Sequence, residues 1–307
     1  MILQVLILAA GFVLLVKGAD WFVEGAAGLA RKMHIPQLVI GLTIVAMGTS
    51  MPEAAVSITS ALNHAPGITI GNVVGSNILN VLLILGITAL VTNVSIQEST
   101  KRYEIPFMIG ITVLLLAFGA TGAVITLWEG LAFLGLFAGY LFYLFRMAKN
   151  APAEEDTCEE IPLWKCCVLM LLGGFMVVKG SDFAVGGATQ IARHLGISER
   201  VIGLTIVALG TSLPELVTSV AAARKGNADI AIGNIVGSNV FNILFVVGTT
   251  ALICDIPFAG AFLQDTAIAI ISGLVLLLGI RQRKALDRPC GIMMLSGFAA
   301  YFASLCF

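Results

Sequence analysis

The sequence predicts an all-α polytopic membrane protein: ten transmembrane helices arranged as two inverted five-helix repeats. Three observations carry this prediction. Hydrophobic residues fill 58% of the 307 positions and charged residues only 11%, at a mean hydropathy of +1.00. Ten apolar stretches follow one another along the chain. The two halves also repeat each other in register.

The composition excludes whole classes. A soluble domain carries about 25% charged residues, and this chain lacks the polar side chains to coat a surface facing water. Soluble globular and disordered proteins are excluded on that ground. A net charge of −1 leaves no basic footprint for a nucleic-acid backbone. Strand-type alternation is absent, which argues against an outer-membrane barrel.

Crossing the hydrocarbon core takes about 20 apolar residues per helix. The stretches are 3–30, 38–62, 68–91, 105–119, 122–145, 163–192, 201–223, 229–253, 262–280 and 290–306. The fourth is short and barely separated from the fifth, and fusing such segments would leave eight or nine spans. The predicted organisation is a first repeat over 1–146, a linker over 147–162 and a second repeat over 163–307. The linker is acidic (Glu154, Glu155, Asp156, Glu159, Glu160) and too short for a folded domain. The first stretch lacks a basic leader and a small-residue cleavage site, so it reads as a retained helix. Six cysteines show no metal-binding spacing and read as packing residues.

With ten spans, thirteen Lys and Arg residues fall on one side, among them Arg31, Lys32, Lys101, Arg102, Arg146, Lys149, Arg224 and Lys225. Only Arg193 and Arg200 fall on the other. Basic loops stay cytoplasmic. Both termini are therefore expected outside the cytoplasm, in a plasma (inner) membrane.

Residues 17–80 align without a gap on 179–242, at a constant offset of 162, with 33 of 64 positions identical. VIGLTIVAMGTSMPE (Val39 to Glu53) matches VIGLTIVALGTSLPE (Val201 to Glu215), and GNVVGSNILN (Gly71 to Asn80) matches GNIVGSNVFN (Gly233 to Asn242). Five spans per half force the second half to enter the membrane from the opposite side. Inverted repeats of this kind place substrate sites near the midplane.

The most similar stretches are also the most polar. Glu53 and Glu215 sit inside spans, where a charge costs about 2.5–3.5 kcal/mol on insertion scales, and neither has a basic neighbour in sequence. Thr49 lies one turn before Glu53 on the same helix face, with Ser50 adjacent. Pro52 lacks the N–H that the Gly48 carbonyl would accept, so the helix kinks there. Gly210, Thr211, Ser212 and Pro214 repeat this around Glu215. Ser76 with Asn80, and Ser238 with Asn242, stand at i and i+4 and read as further ligands. Asn72, Asn77, Asn234 and Asn239 read as hydrogen bonds between helices. The ligand set is all oxygen, which suits hard cations such as calcium and not transition metals. Two carboxylates balance one divalent ion or two monovalent ions, and protons can compete for them. Lys17 with Asp20, and Lys179 with Asp182, are expected as neutralising i, i+3 pairs.

The paired G-T-S-x-P-E and G-S-N-x-x-N stretches closely resemble the two alpha-repeats of the sodium/calcium exchanger (cation/calcium exchanger) superfamily. The resemblance covers nearly the whole chain. It implies a ten-helix fold with four kinked central helices around the site. It further implies calcium bridged by Glu53 and Glu215, with the carbonyls of Thr49 and Thr211 assisting. Sodium would use Ala46, Ser50, Ser76, Ala208, Ser212 and Ser238 besides the two Glu, with Asn80 at the edge. Asn242 departs from the pattern, because some prokaryotic and potassium-dependent members have Asp there. That weakens the case for potassium coupling.

The expected function is a secondary antiporter that exchanges sodium for calcium by alternating access. A proton/calcium or potassium-dependent exchanger is the alternative, and a cation channel is a more distant one. No His or Lys stands near Ser50 or Ser212 to activate a nucleophile, so no enzyme is expected. The expected partners are calcium and sodium ions and the lipid bilayer. No cofactor, nucleic acid or obligate protein partner is expected.

Overall fold

The structure, a computed structural model, describes residues 2–150, 161–196, 208–280 and 285–306, apart from the side chains of Ala208, Leu305 and Cys306. Most of the acidic linker, 151–160, lies outside the described residues. The first half comprises α1 (Ile2–Lys32), a bent pair α2 (Gln37–Thr49) and α3 (Met51–Leu62), α4 (Gly67–Val91), α5 (Thr100–Gly122) and α6 (Leu127–Lys149). The second half comprises α7 (Leu163–His194), the turn Ala208–Gly210, α8 (Leu213–Arg224), α9 (Ala228–Ile253), α10 (Gly260–Ile280) and α11 (Arg288–Cys306). Each predicted apolar stretch is mostly helical where it is described, with breaks at Ser50, at Ala123 to Thr126 and at Thr211 to Ser212. Among the described residues, seven helices are long and apolar enough to cross a membrane, or eight with the bent pair taken as one span.

The fourth and fifth stretches do not fuse. Ala123 takes a left-handed conformation (φ 53°) that ends α5. Thr126 and Glu129 then start α6 with a reciprocal cap, the Thr126 N–H donating to Glu129 Oε2 at 2.7 Å.

Two helices form the centre. In α9, 94% of the apolar stretch is buried, and in α4 78%, against 17–33% for α1, α5, α6, α7 and α10. The outer helices expose large apolar side chains such as Phe142, Phe145, Leu171, Phe175 and Leu278. That surface suits lipid and not water.

The halves interlock. Two pairs of two-residue strands join them: β1 (Val94–Ser95) with β4 (Ala285–Leu286), and β2 (Val124–Ile125) with β3 (Ile256–Pro257), both antiparallel. In register, Val94 faces Leu286 and Val124 faces Pro257. Shifting β1 by 162 residues lands on β3, and shifting β2 lands within one residue of β4, so each half supplies the same two edges in exchanged roles.

α1 and α7 cross in close antiparallel contact along a seam of glycines spaced seven apart, Gly11, Gly18 and Gly25 on α1 and Gly173, Gly180 and Gly187 on α7, with Gly11 against Gly180 and Gly18 against Gly173. A Cβ at Gly18 would lie 2.8 Å from the Gly173 carbonyl oxygen, and one at Gly173 would lie 2.5 Å from the Phe22 nitrogen. Small residues let membrane helices approach to backbone contact. Overpacking of this kind costs about 1–3 kcal/mol. We therefore expect Gly173→Ala to lower the thermal midpoint of the detergent-solubilised protein. Gly186→Ala, whose new Cβ meets nothing within 4 Å, should leave it unchanged. Equal midpoints would show that the seam is not tightly packed.

Candidate functional site: a buried all-oxygen cluster

The site is made by two helix breaks. The α2–α3 pair bends by 47° at Ser50, whose backbone (φ −87°, ψ 8°) leaves the helical region. Ser212 takes the same conformation (φ −91°, ψ 3°) before α8. Pro52 and Pro214 fall in the first turn of the helix that follows, where a missing N–H costs nothing. The predicted kinks are thus present, but each lies two residues before its proline. The consequence is that Glu53 and Glu215 occupy the first turns of α3 and α8, where free backbone N–H groups favour negative charge.

Both carboxylates are fully buried. Glu53 accepts hydrogen bonds through Oε1 from Ser76 (3.4 Å) and Ser212 (3.5 Å), and Thr211 approaches it from the other half. Glu215 accepts through Oε1 from Ser50 at 2.8 Å, and Thr49 approaches it. Each half therefore supplies donors to the other's carboxylate. Ser76 and Ser212 hydroxyls lie 3.2 Å apart. No Lys or Arg pairs with either carboxylate among the described residues.

Asparagines fix this arrangement. The Asn72 amide donates to Ser57 (2.9 Å) and to the Glu53 carbonyl (3.0 Å), and Asn234 repeats it on Ser219 (2.9 Å) and the Glu215 carbonyl (3.4 Å). Asn77 donates to the carbonyl of Asn239 at 3.2 Å and Asn239 to that of Asn77 at 3.3 Å. All four are helix–helix hydrogen bonds, as expected. Ser57 and Ser219 were missed in the sequence, although they stand one turn after each Glu and are identical in the two repeats.

Asn80 donates to Asn239 Oδ1 at 2.9 Å, and Asn242 to Asn77 Oδ1 at 3.1 Å. Their own Oδ1 atoms accept nothing. Four buried oxygens are left this way: Glu53 Oε2, Glu215 Oε2, Asn80 Oδ1 and Asn242 Oδ1. The two asparagines lie in widened π-helical turns, Leu79–Ile84 and Asn242–Val247, a distortion common at functional sites.

The remaining expected ligands fall as follows. Thr49, Ser50, Ser76, Ser212 and Ser238 are buried in the cluster. The Ala46 carbonyl accepts from Thr49 (3.3 Å) and Ser238 (3.4 Å). Ser238 therefore does not mirror Ser76, since it bonds a carbonyl and not a carboxylate. Thr49 also donates to Asn234 Oδ1 at 2.9 Å. The side chain of Ala208 lies outside the described residues. Among the described residues no group of three or more His, Cys, Asp and Glu is placed to hold a metal, so the donor set is two carboxylates and neutral oxygens.

Access to the cluster is uneven. A cavity of about 450 Å³ runs between α7 and the two breaks and is lined by Met51, Pro52, Asp182, Gly210 and Thr211. Its counterpart, of about 340 Å³, is lined by Asp20, Val217, Arg224 and Lys225 and does not reach Thr49. Lys179 pairs with Asp182 at 3.0 Å as expected. Asp20 does not pair with Lys17. It meets Lys225, which donates to the Asp20 carbonyl at 2.7 Å and lies 3.5 Å from Oδ1.

A cluster of buried oxygens around two carboxylates, drawn from both halves of an apolar helical chain, is the candidate site, and the comparisons with known proteins place the chain in a class of transporters and not of enzymes. The family model described as sodium/calcium exchanger protein matches residues 3–146 and 165–307. The chain is 34% identical to the sodium/calcium exchanger MaX1 of Methanosarcina acetivorans, over 98% of this chain and 97% of that one. It is also 34% identical to the inner membrane protein YrbG of Escherichia coli, over 99% and 97%. The solved structure of the sodium-calcium exchanger NCX_Mj superposes with a TM-score of 0.87 at 34% identity, covering 99% of each chain. The protein belongs to the sodium/calcium exchanger family.

A membrane hydrogen bond contributes about 0.6 kcal/mol on average. Asn234→Ala removes three and Asn72→Ala two. We expect Asn234→Ala to lose roughly 2 kcal/mol of stability and Asn72→Ala about 1, read as ordered shifts in thermal midpoint and in calcium affinity. The reverse order would show that the Asn234 network is not what holds Glu215.

Proposed function

We propose that the protein is an antiporter that exports calcium against entering sodium. The observation that carries this reading is the set of four buried oxygens without donors around two carboxylates. A buried acceptor left unpaired costs about 1–3 kcal/mol, more when charged, and a cation relieves all four together. One calcium ion matches the two carboxylates in charge. We assign it to Glu53 and Glu215 with the carbonyls of Thr49 and Thr211. Sodium ions would take the same carboxylates with Ser50, Ser76, Ser212, Ser238 and the carbonyls of Ala46 and Ala208. Asn80 and Asn242 close the edge.

Because the two ions share ligands, they exclude each other, and a carrier that reorients only when occupied then exchanges them. The resemblance to the family implies three sodium ions per calcium. The extra inward charge contributes about 2.3 kcal/mol per 100 mV toward export. The exchanged strands, the antiparallel glycine seam and the recurring hydrogen bonds support two inverted five-helix repeats with ten spans. We place the chain in the plasma (inner) membrane with both termini outside. In that orientation the larger cavity opens outward, and the Lys225–Asp20 contact closes the opposite side.

The test is calcium uptake into sodium-loaded liposomes. Uptake should require the outward sodium gradient, and Glu53→Gln or Glu215→Gln should abolish it. Gradient-independent flux at channel rates would overturn the antiporter. Uptake driven by a proton gradient without sodium would move the assignment to proton exchange. A strict potassium requirement would show that Asn242 does not preclude potassium coupling.

A further inference from the structure

A third buried carboxylate lies apart from the cluster around Glu53 and Glu215. Glu104, in the first turns of α5, is 1% exposed. One of its oxygens accepts the Tyr143 hydroxyl of α6. The other, Oε2, has no donor, and the buried hydroxyl of Tyr140 beside it has no partner. No basic side chain pairs with Glu104 among the described residues. These groups line a cavity of about 410 Å³ together with Arg102, Gly135 and Gly139. A Cβ at either glycine would meet nothing within 4 Å, so α6 leaves a trough there. Its rim is exposed and apolar: Leu136 is 38% exposed and Tyr103 52%.

The lining chemistry is graded. The floor is a carboxylate oxygen and a phenol oxygen, both lacking donors. The walls are aromatic: Tyr140 stacks on Phe107 with centroids 5.3 Å apart and lies 6.5 Å from Tyr143. The mouth carries the Arg102 guanidinium, held 5.5 Å over the Tyr103 ring. Beyond the mouth is the apolar outer face of α6. A matching molecule has a cationic N–H donor at its tip, an anionic group next to it and hydrocarbon behind.

We propose that this cavity binds the headgroup of a primary-amine phospholipid, with its ammonium on Glu104 and Tyr140 and its phosphate on Arg102. An ammonium donates three hydrogen bonds, and two fit the two orphaned oxygens. Its charge neutralises a carboxylate that otherwise stands unpaired in the bilayer. The tyrosine faces add attraction for the cation. The acyl chains lie along Gly135 and Gly139 and the outer face of α6. The site opens at the end of α5 and α6 that carries Lys101, Arg102, Arg146 and Lys149, where headgroup phosphates are attracted. A quaternary amine offers no N–H and leaves both oxygens unsatisfied, so the site discriminates by hydrogen bonding and not by charge alone.

The test is native mass spectrometry of the full chain, titrated with phosphatidylethanolamine, its N-monomethyl and N,N-dimethyl derivatives and phosphatidylcholine, all of one acyl composition. Occupancy should hold for the N-monomethyl derivative, which keeps two N–H donors, then fall at the N,N-dimethyl derivative and again at phosphatidylcholine, by about tenfold from first to last. Glu104→Gln should bring phosphatidylethanolamine down to the phosphatidylcholine level. Asp265→Asn, at the Tyr301–Asp265 hydrogen bond of the other half, should leave the preference intact. Equal occupancy along the series in the unmodified protein overturns the proposal, whatever the variants do. So does a preference that survives Glu104→Gln, a Glu104-independent preference for phosphatidylglycerol, or equally strong binding of soluble glycerophosphoethanolamine, which would make the ligand a free amine and not a lipid.

Discussion

Everything at the centre of this protein follows from placing two carboxylates in a hydrocarbon slab without a basic partner. A buried charge costs several kcal/mol even after relaxation. A Lys or Arg would neutralise it but would also occupy the site for good. Here each carboxylate is held by neutral donors on one oxygen only, Ser76 and Ser212 on Glu53 and Ser50 on Glu215. The other oxygen is left open. The hydroxyls fix the geometry without cancelling the charge, and the exchange proposed above would have a cation complete it. Carboxylate, hydroxyl, amide and carbonyl follow from this requirement, because a neutral oxygen can coordinate a cation and then release it.

The same constraint dictates the architecture. Neither half holds its own carboxylate unaided: Glu53 needs Ser212, and Glu215 needs Ser50. The asparagines are likewise exchanged, Asn77 with Asn239 and Asn80 against Asn239. A hydrogen bond across the repeat interface is worth little singly, about 0.6 kcal/mol in a membrane. The network ties α4 to α9, the two most buried helices, so the site and the core are one object. The outer helices and the strand pairs clamp around it.

Much of this was legible in the sequence, for identifiable reasons. Polar residues are so costly at membrane depth that a repeat preserving Thr49, Ser50, Pro52, Glu53, Ser76 and Asn80 in both copies marks the site directly. The roles of Asn72, Asn77, Asn234 and Asn239 also followed from residue type and depth. Other features did not follow. The π-helical turns at Asn80 and Asn242 depend on how α4 and α9 pack, and no residue type announces them. Asp20 pairs with Lys225 across the fold and not with Lys17 one turn away, because a long side chain at a helix end reaches a distant element that spacing cannot anticipate. The glycine seam could have been found. Gly11, Gly18 and Gly25 recur at the offset of 162 as Gly173, Gly180 and Gly187, but so apolar a stretch hides small residues among many others.

That departure from symmetry is where structure turns into mechanism. The repeat gives Asp20 and Asp182 equivalent places on α1 and α7, yet Asp182 pairs within its own helix beside the larger cavity while Asp20 is bridged to Lys225 beside the smaller one. A symmetric sequence supports both this arrangement and its mirror, with the larger cavity on the other side. Lys225 has no basic equivalent, since the matching position is Asn63, so the two states differ in energy. The glycine seam brings the α1 and α7 backbones into contact, and the alternating access proposed above would need this pair to move past the cluster. On this reading, the near-identity of the halves supplies the two access states, and their few differences set the balance between them.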